Sequence, residues 1–314
     1  LMTSTVPVLV QAAMGELGLF PVPSVVAAAT DNTTMQALAL LNKVGRELSS
    51  RADWSTLNME LDTVIAAPVS TTGNITDGSA IITNIPSTAA IAANTYACIA
   101  TGVPTAARVI SVDSATQVTL SEPCSATTVG VALTFAKDTY PVPADFRKFL
   151  SDTQWDRTNH WQVVGPMSPQ EDQWRRSGIV TQGPRRRYRQ VGRGANVFRF
   201  WPPPTASDTP FIIATEYQSR YWAQDASAVP KETFTADTDT CVYPDALMIA
   251  GLKFELWSAK QFDATKYFAD YETQFQAAIT ADGIAPGRIN MNRRTVQSLI
   301  SPWQVPDTGY GSPP

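Results

Sequence analysis

The chain has 314 residues, with 24 Lys and Arg against 28 Asp and Glu, a formal net charge of −4, a single histidine and three cysteines. That length holds one large domain or two ordinary ones, and 44% apolar residues are enough to fill real cores. The acidic balance excludes a globally basic nucleic-acid coat, and the longest apolar stretch, Leu19 to Ala29, is broken by Pro21, Pro23 and Ser24 well short of the ~20 residues of a membrane helix.

The lone histidine, His160, removes more chemistry. It excludes the His-rich zinc sites, and any Ser-His-Asp or Cys-His device has to run through it. It sits between Asn159 and Trp161 in a chain with no G-x-S-x-G elbow, which favours a structural role. No phosphate loop is present, and Gly192-Arg193-Gly194 lacks the third glycine of a dinucleotide turn. The carboxylate pairs Glu171-Asp172 and Asp237/Asp239 read as solvated surface. Cys98, Cys124 and Cys241 have no metal-ligand spacing, and Leu1 to Thr5 lacks a basic signal region. Synthesis in a reducing cytoplasm is the simplest reading, which favours free thiols over a Cys98–Cys124 pair. No catalytic residue, cofactor or metal is expected.

In chain order, Val8 to Leu17 reads as a helix ended by Gly18 and a Pro-rich connector. Asp31, Asn32 and Thr33 offer caps to a second helix, reaching about Arg51, with Met35, Leu38, Leu41, Val44 and Leu48 as its apolar stripe. Gly45 inside it costs about 1 kcal/mol against Ala and signals either close packing or tolerance. Trp54 and Leu57 plug the exit. Composition then shifts: from Pro68 to Ala136 there is no Trp and one basic residue, Arg108. Strand-like runs recur at 80–83, 95–99, 108–112, 117–120 and 129–135, separated by turn signals, which predicts an inserted all-β module over 68–137.

The host resumes at Tyr140-Pro141-Val142-Pro143-Ala144-Asp145-Phe146. Five tryptophans follow, at 155, 161, 174, 201 and 222, among extended candidates at 161–164, 187–191, 197–201 and 211–222. A short helix over 169–176 is opened by Ser168 and Pro169. A helical hairpin closes the domain, with Leu247, Ala250, Phe254 and Trp257 on one face of its first helix and Tyr267, Tyr271, Phe275 and Ile279 on its second. After Gly283 the residues 284–314 are Pro- and Gly-spaced, with Ile289, Leu299, Ile300 and Trp303 as sparse anchors, too few for a core. An extended C-terminal arm bound to a partner or a neighbouring copy is expected, with Trp303 as its main anchor.

Between Asp172 and Asp208 there is no acid, while eight arginines occur, at 175, 176, 185, 186, 187, 189, 193 and 199. Arginine without lysine suits bidentate contacts to carboxylate or phosphate. Tyr188, Phe198 and Trp201 are candidate stacking partners. Three readings stand: a contact with a subunit or partner, a backbone-type contact with DNA, and a solvated face. Arg185, Arg186, Arg187, Arg189 and Arg193 are the candidate contact residues, and consecutive ones in an extended ribbon point to opposite faces, which favours protein carboxylates over one channel wall.

The order of segments resembles the head-to-tail adaptor proteins of tailed bacteriophages. The likeness is carried by Val10-Gln11-Ala12-Ala13-Met14-Gly15-Glu16-Leu17-Gly18-Leu19 and its Pro turn, by Leu38 to Leu48 leading to Trp54, by Tyr140 to Phe146, and by Tyr243-Pro244-Asp245-Ala246-Leu247. It implies a non-enzymatic virion protein of the neck, assembled in the host cytoplasm. It further implies a ring of about twelve copies that docks onto the portal protein, offers a platform to the tail nozzle and leaves an axial channel for DNA. The module at 68–137 departs from the smallest members, and a contact with a tail fibre is its expected use. Carbohydrate binding through a β-module with Trp-rich strands, and a capsid or decoration protein, are the rival readings. The expected fold is α+β: a helical bundle with an antiparallel β-region (1–67 and 138–283), an inserted small sandwich or barrel (68–137), and the arm (284–314).

Overall fold

The computed structural model describes residues 4–105, 107–176, 186–192, 197–206 and 209–283. It is a mixed α/β chain whose helices, in order, are α1 (Val6–Glu16), α2 (Asn32–Arg51), α3 (Pro169–Arg176), α4 (Asp245–Ala259) and α5 (Thr265–Ala281). The sheets are antiparallel and open. Contacts divide the described residues into two units, one of 4–59, 145–149 and 217–283, the other of 60–144 and 150–216.

In the first unit α1, α2 and α5 all pack on α4. Asp31 opens α2 by accepting the Thr34 amide at 2.8 Å. The helix is closed by Trp54, whose indole N–H donates to the Leu48 carbonyl at 2.7 Å, satisfying an acceptor that the helix end leaves free. The same ring packs on Tyr243 and Phe275. The buried stripe of α2 runs Thr34, Ala37, Leu41, Val44, Leu48, so it starts one residue earlier than expected and Met35 is exposed. Small residues at 34 and 37 let the first turns approach the core closely. Gly45 belongs to the same logic: a Cβ there would lie 2.2 Å from the Trp222 ring. Close packing, rather than tolerance, explains it.

Helix α4 is apolar on most sides and is buried accordingly, through Leu247, Met248, Ala250, Gly251, Leu252 and Leu256. Phe254 and Trp257, expected on its buried face, are only partly covered, because three neighbours surround the helix and no single face defines its core. A small sheet with Ala223–Gln224 between Pro230–Lys231 and Thr240–Cys241 adds Trp222, Cys241 and Tyr243 to the same core. Here the acids depart from expectation. Asp239 is fully buried and accepts from Lys231 Nζ at 2.8 Å and from the amides of Thr235 and Ala236 at 2.7 and 2.9 Å. Asp237 Oδ1 accepts the amides of Val26 and Ala27. Neither is solvated surface, because loop amides without a strand partner need acceptors and these carboxylates supply them.

The second unit contains two three-stranded sheets from 69–137. In one, Thr128–Lys137 is flanked by Val69–Ile75 and Tyr96–Ile99; in the other, Gln117–Leu120 is flanked by Ile81–Ile82 and Val109–Ser114. Ile75, Cys98, Leu133 and Phe135 from the first and Ile82, Val109, Val118 and Leu120 from the second enter one buried cluster. Neither sheet closes on itself. All five expected runs contain strands, and Val69–Ile75 is a sixth that the polar sequence Val-Ser-Thr-Thr-Gly-Asn-Ile conceals. Gly73 in it lies where a Cβ would come 2.7 Å from Leu133. Cys98 and Cys124 are free and buried in this core, and burial pushes the Cys98 thiol up to about 12.

The rest of the second unit includes a sheet in which Val197–Trp201 lies between Arg187–Val191 and Thr139–Pro141. It also includes the strands Trp155–Asp156 and Trp161–Gln162, the former paired with Ile213 and Ala214 of Phe211–Ser219. The strand Asn58–Ile65, unanticipated, pairs with Phe211–Ser219 as well. The long strand ends at Ser219, three residues before the expected Trp222.

Candidate functional site

The densest constellation of charge grows out of α3. Ser168 Oγ accepts the Glu171 amide at 3.1 Å, which starts the helix. Its first turn then carries Glu171 and Asp172 and its last turn Arg175 and Arg176, the arrangement that the helix dipole favours. The spacing of four joins them: Arg175 Nε lies 3.2 Å from Glu171 and Arg176 Nε 3.0 Å from Asp172. A second tier comes from the strand Arg187–Val191, where Arg187 and Arg189 share a face by alternation. Arg187 Nη1 reaches Glu171 at 2.7 Å and Arg189 Nη1 reaches Asp172 at 2.5 Å. Tyr188 turns the other way and is buried over Gly165, where a Cβ would lie 2.5 Å from its ring.

A third carboxylate, Asp138, is also buried. Arg108 Nη2 donates to Asp138 at 2.8 Å, to Thr139 Oγ1 at 2.7 Å and to the Asn94 carbonyl at 2.8 Å, and Arg199 Nε lies 4.0 Å from Asp138. Each of the three carboxylates thus serves two guanidinium groups. The electrostatics reflect the crowding. Burial pushes the Asp172 carboxyl up, but Arg176 and Arg189 together outweigh it and hold the group below the usual carboxylate range. Burial raises Asp138 even with Arg108, Arg199 and Arg176 near it. Burial, with Arg108 adding to it, lowers Arg199 to about 10.

Of the arginines singled out from the sequence, Arg187 and Arg189 belong to this cluster. Arg186 turns elsewhere: it is buried, with its guanidinium 4.2 Å from the Phe211 ring centroid and Nη1 3.9 Å from Asp156. Arg185 and Arg193 lie outside the described residues, as do Ile289, Leu299, Ile300, Trp303 and the whole of 284–314. Among the stacking candidates, Trp201 receives the Arg176 guanidinium at 5.2 Å from its ring centroid, and the Phe198 ring is buried against Tyr140 and Phe200. Glu171 and Asp172 are not a solvated pair; Asp172 is 3% exposed. Sequence reading also missed Arg108 and Asp138. The signals were there, in the E-D-x-x-R-R spacing of 171–176 and in Arg108 being the only base of its segment. His160 is exposed, with φ 59°, in the turn between Trp155–Asp156 and Trp161–Gln162.

This cluster binds and braces charge; no nucleophile with an activating base appears in it. A family model described as SU10 adaptor protein matches residues 9–302, which is nearly the whole chain. The chain belongs to that family. The resemblance to phage head-to-tail adaptors read from the packing motifs is thereby borne out, and the SU10 adaptor match takes in the helices, the β-module and the arginine-rich segment together. Comparison with curated proteins gives no match. Among the described residues no helix is long and apolar enough to cross a membrane.

Proposed function

We propose that this SU10 adaptor assembles as a ring of about twelve copies in the neck of a tailed phage. There it docks onto the portal protein, receives the tail nozzle and leaves an axial channel through which the genome passes. The family match over 9–302 carries this reading. The two sheets of 69–137 act as a sandwich on the ring's outer side, available to a tail fibre. The arm, 284–314, binds the portal or a neighbouring copy through Trp303, with Ile289, Leu299 and Ile300 beside it. Its role is structural and not enzymatic, and assembly takes place in the host cytoplasm.

The tryptophans bear on the rival glycan-binding reading. Trp201 and Trp222 are buried in cores, so their faces are not open to stack on a sugar, whereas Trp174 is exposed. Electron microscopy of the purified chain mixed with portal tests the proposal: rings seated on the portal are expected. A stable monomer that ignores the portal and binds saccharide overturns it.

A further inference from the structure

The arginine cluster has a charge imbalance. Among the described residues, Arg108, Arg175, Arg176, Arg187, Arg189 and Arg199 face only Glu171, Asp172 and Asp138, an excess of three positive charges. The stretch from 173 to 207 holds no acid that would correct it. Arg176 Nη2 and Arg108 Nε are buried with no hydrogen-bond acceptor, on side chains only 11% and 12% exposed. No other chain can reach those two atoms; the excess charge meets the surface through Arg187 and Arg189, whose side chains are 32% and 24% exposed.

The same unit carries the opposite imbalance elsewhere. Glu60, Asp152 and Glu216 line a shallow groove with Arg157, and Asp62 lies beside it. Arg157 pairs with Glu60 and lies 3.5 Å from Asp62. All four acids are exposed, and four against one leaves an excess of three negative charges. The two regions share no residue. Trp155 is opposite Ala214, so Arg157 and Glu216, each two residues further along, lie on one side of that pairing.

We propose that these are the two halves of a head-to-tail contact between copies of this chain, the arginine cluster of one receiving the acidic groove of the next. The inference rests on the ring reading above and names the surface that closes it. A contact between two different patches is the kind that generates rings, whereas a two-fold contact would end at a dimer. Carboxylates suit the arginine forks in bidentate geometry.

The test uses two variants of the full chain. One is Glu60→Gln/Asp152→Asn/Glu216→Gln, the other Arg187→Gln/Arg189→Gln, each weighed by native mass measurement alone and on the portal. Each is expected to self-associate about tenfold or more weakly than wild type. Their equimolar mixture should give one-to-one dimers, because each supplies the patch the other lacks. Since the three acids are exposed, the acid variant keeps its fold and decides the matter even if the arginine variant does not. Wild-type assembly by the acid variant overturns the inference while leaving the adaptor reading standing. So does binding of a short duplex DNA that the arginine variant loses and the acid variant keeps, with assembly intact in both. A wild-type chain that neither self-associates nor joins the portal overturns both readings together.

Discussion

Gly15 and Gly45 both sit in helices, yet their surroundings give them opposite signs. Around Gly15 nothing lies within 4 Å of an added Cβ, so Gly15→Ala should stabilise the chain by about 0.5–1 kcal/mol through the helix propensity of alanine. At Gly45 the same methyl meets the Trp222 ring at 2.2 Å, and overpacking there costs about 1–3 kcal/mol, more than the propensity gain. Denaturant unfolding of the two variants checks the pair. Gains of equal sign would show that the Trp222 ring moves aside freely. Asp239 makes a different residue-scale prediction. Burial raises its carboxyl, but Lys231 and the Thr235 and Ala236 amides overcome that and leave it below the ordinary value of 3.8. Its folded-state pKa is depressed, so its stabilisation is present above the unfolded carboxylate pKa and is lost as pH falls through the folded value. Asp239→Asn should therefore cost about 1.5–3 kcal/mol at neutral pH. The gap between variant and wild type should shrink as the pH is taken below about 3.8, which thermal melts across an acid series will show.

At the scale of elements, the β-segment is tied at its own ends. Val69 pairs with Phe135 and Tyr96 with Lys137, so the chain enters and leaves on neighbouring strands about 5 Å apart. A short linker can therefore replace 69–136. Excision also removes Arg108, the nearer of the two cations beside the buried Asp138, and would leave that carboxylate short of its main counter-charge. The excised chain should fold when it also carries Asp138→Asn and be markedly less stable without it, by circular dichroism and thermal melting. Equal stability of the two would show that Arg199 and Thr139 suffice for Asp138. Phe135→Ala in the intact chain should cost about 3–5 kcal/mol, since that ring lies fully buried where both sheets contribute to one cluster.

At the scale of the whole molecule, the described residues already close their own cores. The residues 284–314 carry few apolar anchors against an ordering cost of about 1–2 kcal/mol per residue. Deleting them should leave the melting temperature nearly unchanged and abolish recovery of the chain on portal rings in co-sedimentation. A truncated chain that still joins the portal would remove the arm from the docking reading.

Much of the local structure was legible because its causes are local. The helix boundaries at Asp31, Ser168 and Pro244 follow from caps and proline, and the alternation at Val118, Leu120, Leu133 and Phe135 follows from the two-residue period of a strand. The packing motifs sufficed for the family. What the sequence could not determine was set by neighbours distant in the chain. Val69–Ile75 is a strand because Thr128–Lys137 pairs with it, not because its polar residues demand one. The stripe of α2 begins at Thr34, and α4 is buried nearly all round, because other helices surround them. The acids at 138, 172 and 239 look like surface charge in a list of residues. Only the fold reveals that they are buried, each held by a cation from elsewhere in the chain: Arg108, Arg189 and Lys231. Electrostatic partnership depends on distance in space and on the exclusion of water, and neither is written in sequence separation.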